Sequence, residues 1–249
     1  MKQLAHSIAT AFLWAVLCIA TVRDAGAGAG LLLNWNDCPL SPASQTALIA
    51  PCEITGREDL IASFELAAPV DSVIALEVVI DVQGGDPTLP SWWQYGPGGC
   101  RYGQLIASGN FSGFSACGDP WQNASTFAGP PVYVTGAPRG GANQARIVAS
   151  IAVLSSEARA LLAGTRYYAT RFAFQNEIGS ACPGCLATAC LLLNSIRLVR
   201  IPGAVSGDVV LDAASDVGSN RVTWQSTNAS CDAVPVRRLS WGQIKMLYR

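Results

Sequence analysis

An all-β chain, folded as an antiparallel β-sandwich and stapled by disulfides, is what this sequence predicts, on three observations. The first is the stretch from Ser72 to Gln83, which places Ile74, Leu76, Val78, Ile80 and Val82 on one side and Val73, Ala75, Glu77, Val79, Asp81 and Gln83 on the other. That is the period of two of a half-buried strand. One side is wholly apolar and a lone strand cannot bury it, so a second sheet must pack about 10 Å away. The second is that several such stretches are separated by turn residues with only one short internal helix pattern between them, which favours a sandwich over an alternating α/β plan. The third is an even set of eight cysteines outside the leader, read as disulfides in an oxidising compartment.

Taken in order, residues 1–29 read as a cleaved secretory signal. Lys2 opens it, an apolar run covers Ile8 to Val22, and small residues follow at Ala25-Gly26-Ala27-Gly28-Ala29. The run is short for a membrane span and ends at Arg23 and Asp24. The sandwich is assigned to residues 30–239. Leu31 to Asn36 is a short strand, and Cys38 to Cys52 is a loop punctuated by Pro39, Pro42 and Pro51. Glu58 to Leu66 alternates again, and Pro69 and Asp71 turn the chain into the main strand, so the two are expected to pair. From Gly84 to Asn143 the pattern weakens, with short edge strands expected near Gln104 to Ser108 and Val132 to Thr135.

Alternation returns over Ala145 to Val153. Ser155-Ser156-Glu157 then has the form of a cap for a short helix, ARALLA, closed by Gly164. Arg166 to Asn176 is a strand with Tyr168, Phe172 and Phe174 inward. Leu191 to Ile201 is a strand buried on both sides at its start, and Val209 to Leu211 and Arg221 to Trp224 are shorter ones. Residues 240–249, SWGQIKMLYR, recur apolar at helical spacing, and Ser240 with Gln243 forms a capping box. This segment is expected to be a short amphipathic helix packed on the sandwich edge, the alternative being a sorting tail.

Composition narrows the function. Removing Lys2, Arg23 and Asp24 with the leader leaves 14 basic and 16 acidic residues with no run of like charge, a poor match to nucleic acid or an anionic membrane. No other stretch approaches a membrane span, so the mature chain of about 220 residues is expected to be soluble, secreted, periplasmic or at the cell surface.

The mature cysteines are Cys38, Cys52, Cys100, Cys117, Cys182, Cys185, Cys190 and Cys231. Spacing favours Cys38 with Cys52 and Cys100 with Cys117, each closing a short loop for a gain of about 3 kcal/mol. The other four are left open. Cys182-Pro183-Gly184-Cys185 has the spacing of a thiol oxidoreductase site, but it leads into a strand rather than opening a helix. A four-thiolate zinc site from Cys182, Cys185, Cys190 and Cys231 is disfavoured by the compartment. Neither a metal nor a cofactor is expected.

The sole histidine, His6, lies in the leader, which removes Ser-His-Asp and Cys-His mechanisms from the mature chain. Glycine fingerprints for nucleotides are missing too. Carboxylate chemistry survives, but Glu77 and Asp81 on one strand face are about 13 Å apart, beyond either glycosidase geometry. They read as charges that keep the outer sheet face wet. The candidate binding residues are Trp92, Trp93 and Tyr95 on a Gly/Pro-rich loop, with Trp121 joining across a Cys100–Cys117 staple. Adjacent rings cannot all enter one core, so at least one is expected to be exposed and able to stack on a sugar or a partner side chain. The plainer reading is that they plug an open end of the sandwich. Asn110-Phe111-Ser112, Asn123-Ala124-Ser125 and Asn228-Ala229-Ser230 match the glycosylation triplet.

Leu33-Asn34-Trp35-x-Asp37-Cys38, Trp92-Trp93-Gln94, Cys100-Arg101, Cys182-x-x-Cys185 and Trp241-Gly-x-x-Lys-x-Leu-Tyr-Arg249 together resemble a group of uncharacterised exported bacterial proteins across the mature chain. That resemblance implies export and no particular activity. The stretch PVDSVIALEVVIDV resembles the opening strands of cohesin-like and Ig-like sandwiches, which implies a fold and not a function. The expectation is a secreted, non-catalytic binding or structural module whose partner is a glycan or a surface protein. The alternative is a secreted carboxylate-dependent hydrolase built from the region between Gly84 and Asn143.

Overall fold

A computed structural model describes residues 29–52, 56–176, 182–215 and 218–226. The leader and the expected C-terminal helix over 240–249 fall outside the described residues. Thirteen strands are present among those described: β1 (Gly30–Trp35), β2 (Ala47–Leu48), β3 (Gly56–Glu65), β4 (Val70–Gly84), β5 (Leu105–Ser108), β6 (Phe127–Ala128), β7 (Val132–Thr135), β8 (Gln144–Ala152), β9 (Arg159–Leu161), β10 (Arg166–Asn176), β11 (Ala189–Arg200), β12 (Val209–Leu211) and β13 (Arg221–Trp224). They form two sheets. One runs β1-β3-β10-β5, and the other runs β2-β13-β11-β4-β8-β6 with β12 on β11, β7 on β8 and β9 on β4. Every pairing is antiparallel except β13 with β2.

The main strand β4 is central in the larger sheet, because its hydrophobic side needs neighbours on both edges. Leu76, Val78, Ile80 and Val82 are fully buried, opposite Ile151, Ala149, Ile147 and Ala145 of β8 and Leu198, Ile196, Leu193 and Leu191 of β11. The alternation breaks at the strand's beginning. Ser72 takes a left-handed φ of 58°, the register slips between Val70 and Val73, and Val73 is buried while Ile74 is only half-buried.

Three local expectations are corrected. Strands β3 and β4 do not pair: both edges of β3 are taken by β1 and β10, so the 66–69 link carries the chain from one sheet to the other. The ARALLA segment is not a helix. Ser155–Glu157 is a single 3-10 turn, and β9 follows, because β8 reaches only as far as Ala75 and leaves the start of β4 without a partner that Leu161 and Arg159 supply. Here a tertiary pairing outweighs helix propensity. Asp81 does not keep the outer face wet either: it is buried against Arg146 of β8 and Asn194 of β11.

The two sheets are tied by aromatic rings. Trp35 of β1 lies 5.6 Å from Phe174 of β10 and 5.7 Å from Trp224 of β13. Its indole N–H donates to the Thr223 carbonyl at 3.0 Å. Edge-to-face packing of this kind adds about 0.5–1.5 kcal/mol per pair beyond the area buried.

Disulfides are present, but the short-loop pairing is overturned. Cys38 is bonded to Cys117, Cys52 to Cys185 and Cys100 to Cys182, with Cα–Cα distances of 6.0, 5.8 and 5.8 Å. Cys190 is disulfide-bonded as well, while Cys231 lies outside the described residues. Cys38 follows β1 of the smaller sheet and Cys52 follows β2 of the larger, while β5 runs between Cys100 and Cys117, so neither sequence-near pair meets. Cys182 and Cys185 go to different partners, so they form no CxxC redox couple. Such crosslinks belong to an oxidising environment, and no helix among the described residues is long and apolar enough to cross a membrane.

Candidate functional site

The four aromatic residues singled out by sequence are all interior. Trp92, Trp93, Tyr95 and Trp121 are 5, 0, 4 and 0 % exposed, so the expectation of an exposed stacking ring is not met. Pro90 leads into a 3-10 turn, Ser91–Trp93, which the Cys182–Cys185 loop holds down through Trp92 N–H donating to the Pro183 carbonyl at 3.0 Å. Gly184, at φ 98°, sits so close to Pro90 that any side chain there would strike it. Trp93 then packs edge-on against Phe174 and Trp224 at 5.9 and 5.7 Å. The rings plug the end of the sandwich.

Arg101 is locked into the same plug. Its guanidinium lies 3.6 Å above the Trp92 ring and 4.9 Å from that of Tyr95. It donates to the Gln175 carbonyl and to Asn176 Oδ1. Burial pulls its pKa down, with the neighbouring Tyr95 acting the other way. The Cys100–Cys182 bond beside it fixes the loop to the segment that leads into β11.

Trp121 belongs elsewhere, in a turn that forms one wall of a cleft of about 550 Å³. The cleft opens beyond the end of β5 and is lined by Ser108, Asn110, Phe111, Ser112, Asp119, Asn123, Ser125 and Thr126 among others. Its volume falls in the range of small-molecule sites, about 300–1,000 Å³. None of these residues was singled out for binding by sequence, though Asn110 to Ser112 and Asn123 to Ser125 are two of the three Asn-x-Ser triplets. Their clustering was the available signal, since Asn and Ser favour turns in which they bond their own backbone.

Local bonds order both walls. Ser108 Oγ accepts from Asn110 N–H at 3.1 Å, and Asn110 Oδ1 accepts from Ser112 N–H at 2.9 Å, which orients the Asn110 amide. On the facing wall, Asp119 accepts from Trp121 N–H and Asn123 N–H, each at 2.9 Å. Gln122 and Asn123 are consecutive residues in the left-handed region, φ 51° and 66°. Two such non-glycine residues persist only where the surroundings over-determine them.

Those surroundings run back to the LNWxDC stretch. Phe111 stacks on Tyr168 of β10 at 4.8 Å. Tyr168 accepts from Ala116 and Cys117 N–H at 3.0 and 3.2 Å and donates to Asp37 Oδ1 at 2.9 Å. The same Asp37 oxygen accepts from Cys38 N–H, and Cys38 is bonded to Cys117. One tyrosine, one aspartate and one disulfide thus pin the loop that carries the cleft onto the smaller sheet. Burial pushes the Tyr168 hydroxyl up to about 12.

Several carboxylates elsewhere are paired with arginines. Arg146 bonds Asp81, Arg166 bonds Glu65 at 3.3 Å, and Arg197 bonds Asp208. In the cleft, Asp119 is the one carboxylate on the wall, and both its oxygens hold backbone N–H groups. The wall thus lacks the pair of carboxyls facing one bond that glycosidase-type acid–base chemistry uses. Among the described residues no group of His, Cys, Asp and Glu has the geometry to hold a metal ion. No family model, curated protein or solved structure matches this chain.

Proposed function

We propose that this chain is an exported, non-catalytic binding module of the cell surface or periplasm, and that it takes a small polar ligand, or the polar end of a larger one, in the cleft between residues 108 and 128. The observation that carries the reading is the cleft itself: about 550 Å³, walled by hydroxyl and amide groups and built from turns whose conformation is set before any ligand arrives. Preorganised polar groups give up little conformational entropy on binding, so a modest number of hydrogen bonds yields usable affinity. Export is supported by the form of residues 1–29 and by the crosslinks, which the cytosol disfavours. The carboxylate-hydrolase alternative gains no support from this cleft, where Asp119 stands without a second acid.

The test is blockade. The mature protein is presented to immobilised glycans and to purified envelope fractions, alongside Ser112→Trp, which fills the cleft from an exposed position. Binding by the native protein that the variant loses is the expected result. Binding that survives in the correctly folded variant would place the ligand elsewhere and end this reading.

A further inference from the structure

The walls of the cleft say more than that it is polar, and the following rests on the binding reading above. Its lining contributes hydroxyls from Ser108, Ser112, Ser125 and Thr126, amides from Asn110 and Asn123, and a single charge, that of Asp119. No arginine or lysine lines it, although arginines elsewhere in the protein meet nearly every buried acid. A phosphate, sulfate or carboxylate entering here would lose water and find no cation to replace it, while facing a fixed carboxylate. A cationic ligand would meet only Asp119, whose two oxygens are already directed to Trp121 N–H and Asn123 N–H.

What the walls do match is a molecule with many neutral groups that each donate and accept. Side-chain amides and hydroxyls are bifunctional in the same way. The aromatic platform that a sugar face usually rests on is also absent from the open wall, because Phe111 is stacked against Tyr168 and 5 % exposed. Recognition therefore runs through ring hydroxyls at the edge. We infer that the ligand is an uncharged carbohydrate held edge-on by hydrogen bonds, and that Asp119 excludes anionic sugars.

Two properties follow from that mode. The affinity is insensitive to salt, since no ion pair forms and so nothing is screened. A neutral oligosaccharide also binds better than the same sugar oxidised to its uronate, by about fivefold, the scale of one partly exposed charge pair.

Isothermal titration of the mature protein with a neutral oligosaccharide identified by the array, and with its uronate counterpart, at low and high salt, tests this. The expected result is preference for the neutral sugar, a flat salt response, and a narrowed preference in Asp119→Asn, with the circular dichroism spectrum checked for the intact fold. Tighter binding of the uronate, or affinity that falls steeply with salt, would overturn the neutral-sugar assignment and leave the cleft reading standing, provided Ser112→Trp abolishes it. Cleft-dependent binding of an envelope protein and of no glycan would likewise overturn the sugar assignment alone. A Ser112→Trp variant that binds the same sugars unchanged would overturn both.

Discussion

Asp81 and Arg146 face each other across β4 and β8 and form a two-point ion pair, Nε to Oδ1 at 2.6 Å and Nη2 to Oδ2 at 2.9 Å, on side chains that are almost wholly buried. Asn194, bulged out of β11, donates to the same carboxylate at 2.8 Å. The three strands at the centre of the larger sheet are therefore keyed together by one charge cluster on the side away from the sandwich core. Breaking it from one end leaves a buried charge without its partner, so Arg146→Met is expected to destabilise the protein by about 3–5 kcal/mol, whereas Asp81→Asn with Arg146→Met recovers part of the loss. Urea unfolding of the two variants checks this, and equal losses would show that the charge is not the cause.

The crosslinks give a second prediction. Peptide mapping without reduction is expected to recover Cys38 joined to Cys117, Cys52 to Cys185 and Cys100 to Cys182. A peptide joining Cys38 to Cys52 would contradict the packing of Asp37 against Tyr168 as well as the bond itself. Removing Cys38 and Cys117 together, 79 residues apart in sequence, is expected to lower stability by about 4 kcal/mol and to abolish cleft binding first.

Alkaline pH tests the buried tyrosines. Burial, aided by the Asp37 carboxylate that accepts its hydrogen bond and opposed by the Cys117 and Ala116 N–H groups, pushes the Tyr168 hydroxyl up to about 12. Burial pushes Tyr95 and Tyr133 higher still. A folded pKa above the ordinary 10.0 favours the folded state fully below pH 10, and that favour is lost as pH rises toward the folded values. Ultraviolet titration is expected to show these three ionising only with unfolding. Free ionisation near pH 10 in the folded protein would place them at the surface.

Acid pH separates two neighbours. Burial, with a further push from Asp208 and against the pull of Arg197, raises the Glu77 carboxyl. Its contribution is full below the ordinary 4.5 and declines as pH rises through the folded value. Burial also pushes Asp208 upward, but the Arg200 N–H and the Arg197 side chain outweigh it and hold this carboxyl low. Its contribution is present above 3.8 and declines as pH falls through the folded value. The stability of the native protein minus that of Glu77→Gln therefore falls with rising pH, while the same difference for Asp208→Asn rises. Both changes stay within about 1 kcal/mol for such partly exposed groups, and slopes of equal sign would refute the assignment.

Gly109 supplies the last test. A methyl group there would run into Ile151 Cγ2 of β8 and crowd Thr126, so Gly109→Ala is expected to prise the cleft loop from the sheet. A loss of about 1–3 kcal/mol on heating, together with weakened ligand binding, is the expected outcome. Unchanged stability would show that the loop does not rest on β8.

Much of the architecture was legible because period-two alternation reports burial directly. The strands at Leu31, Glu58, Ser72, Ala145, Arg166 and Leu191 all stand where their patterns placed them. What alternation cannot report is which edge a strand joins, and so β3 was expected beside β4 and Arg159 to Leu161 in a helix. Pairing depends on vacant edges elsewhere in the fold, and nothing local to Leu161 records that β4 needed it. The site was the harder part. Trp92 and Trp93 looked too crowded to be buried together, yet a 3-10 turn and the stacked Arg101 accommodate both. The cleft drew on Asn110, Ser112, Asp119 and Asn123, small polar residues whose local turn chemistry resembles that of any surface loop until the disulfide to Cys38 pins their loop onto the smaller sheet.

The crossed arrangement of those bonds also governs how the molecule must be made. In synthesis from the N-terminus, Cys52 waits for a partner 133 residues downstream, a delay of roughly 7 to 27 s at cellular elongation rates. During that interval Cys38 and Cys52 are free to join each other, and Cys117 then emerges only 17 residues behind Cys100, whose own partner Cys182 is still to come. Early neighbour pairs must be undone by thiolate exchange before the native set closes. A yield that depends on a disulfide isomerase, rather than on an oxidant alone, is therefore written into the order of the cysteines.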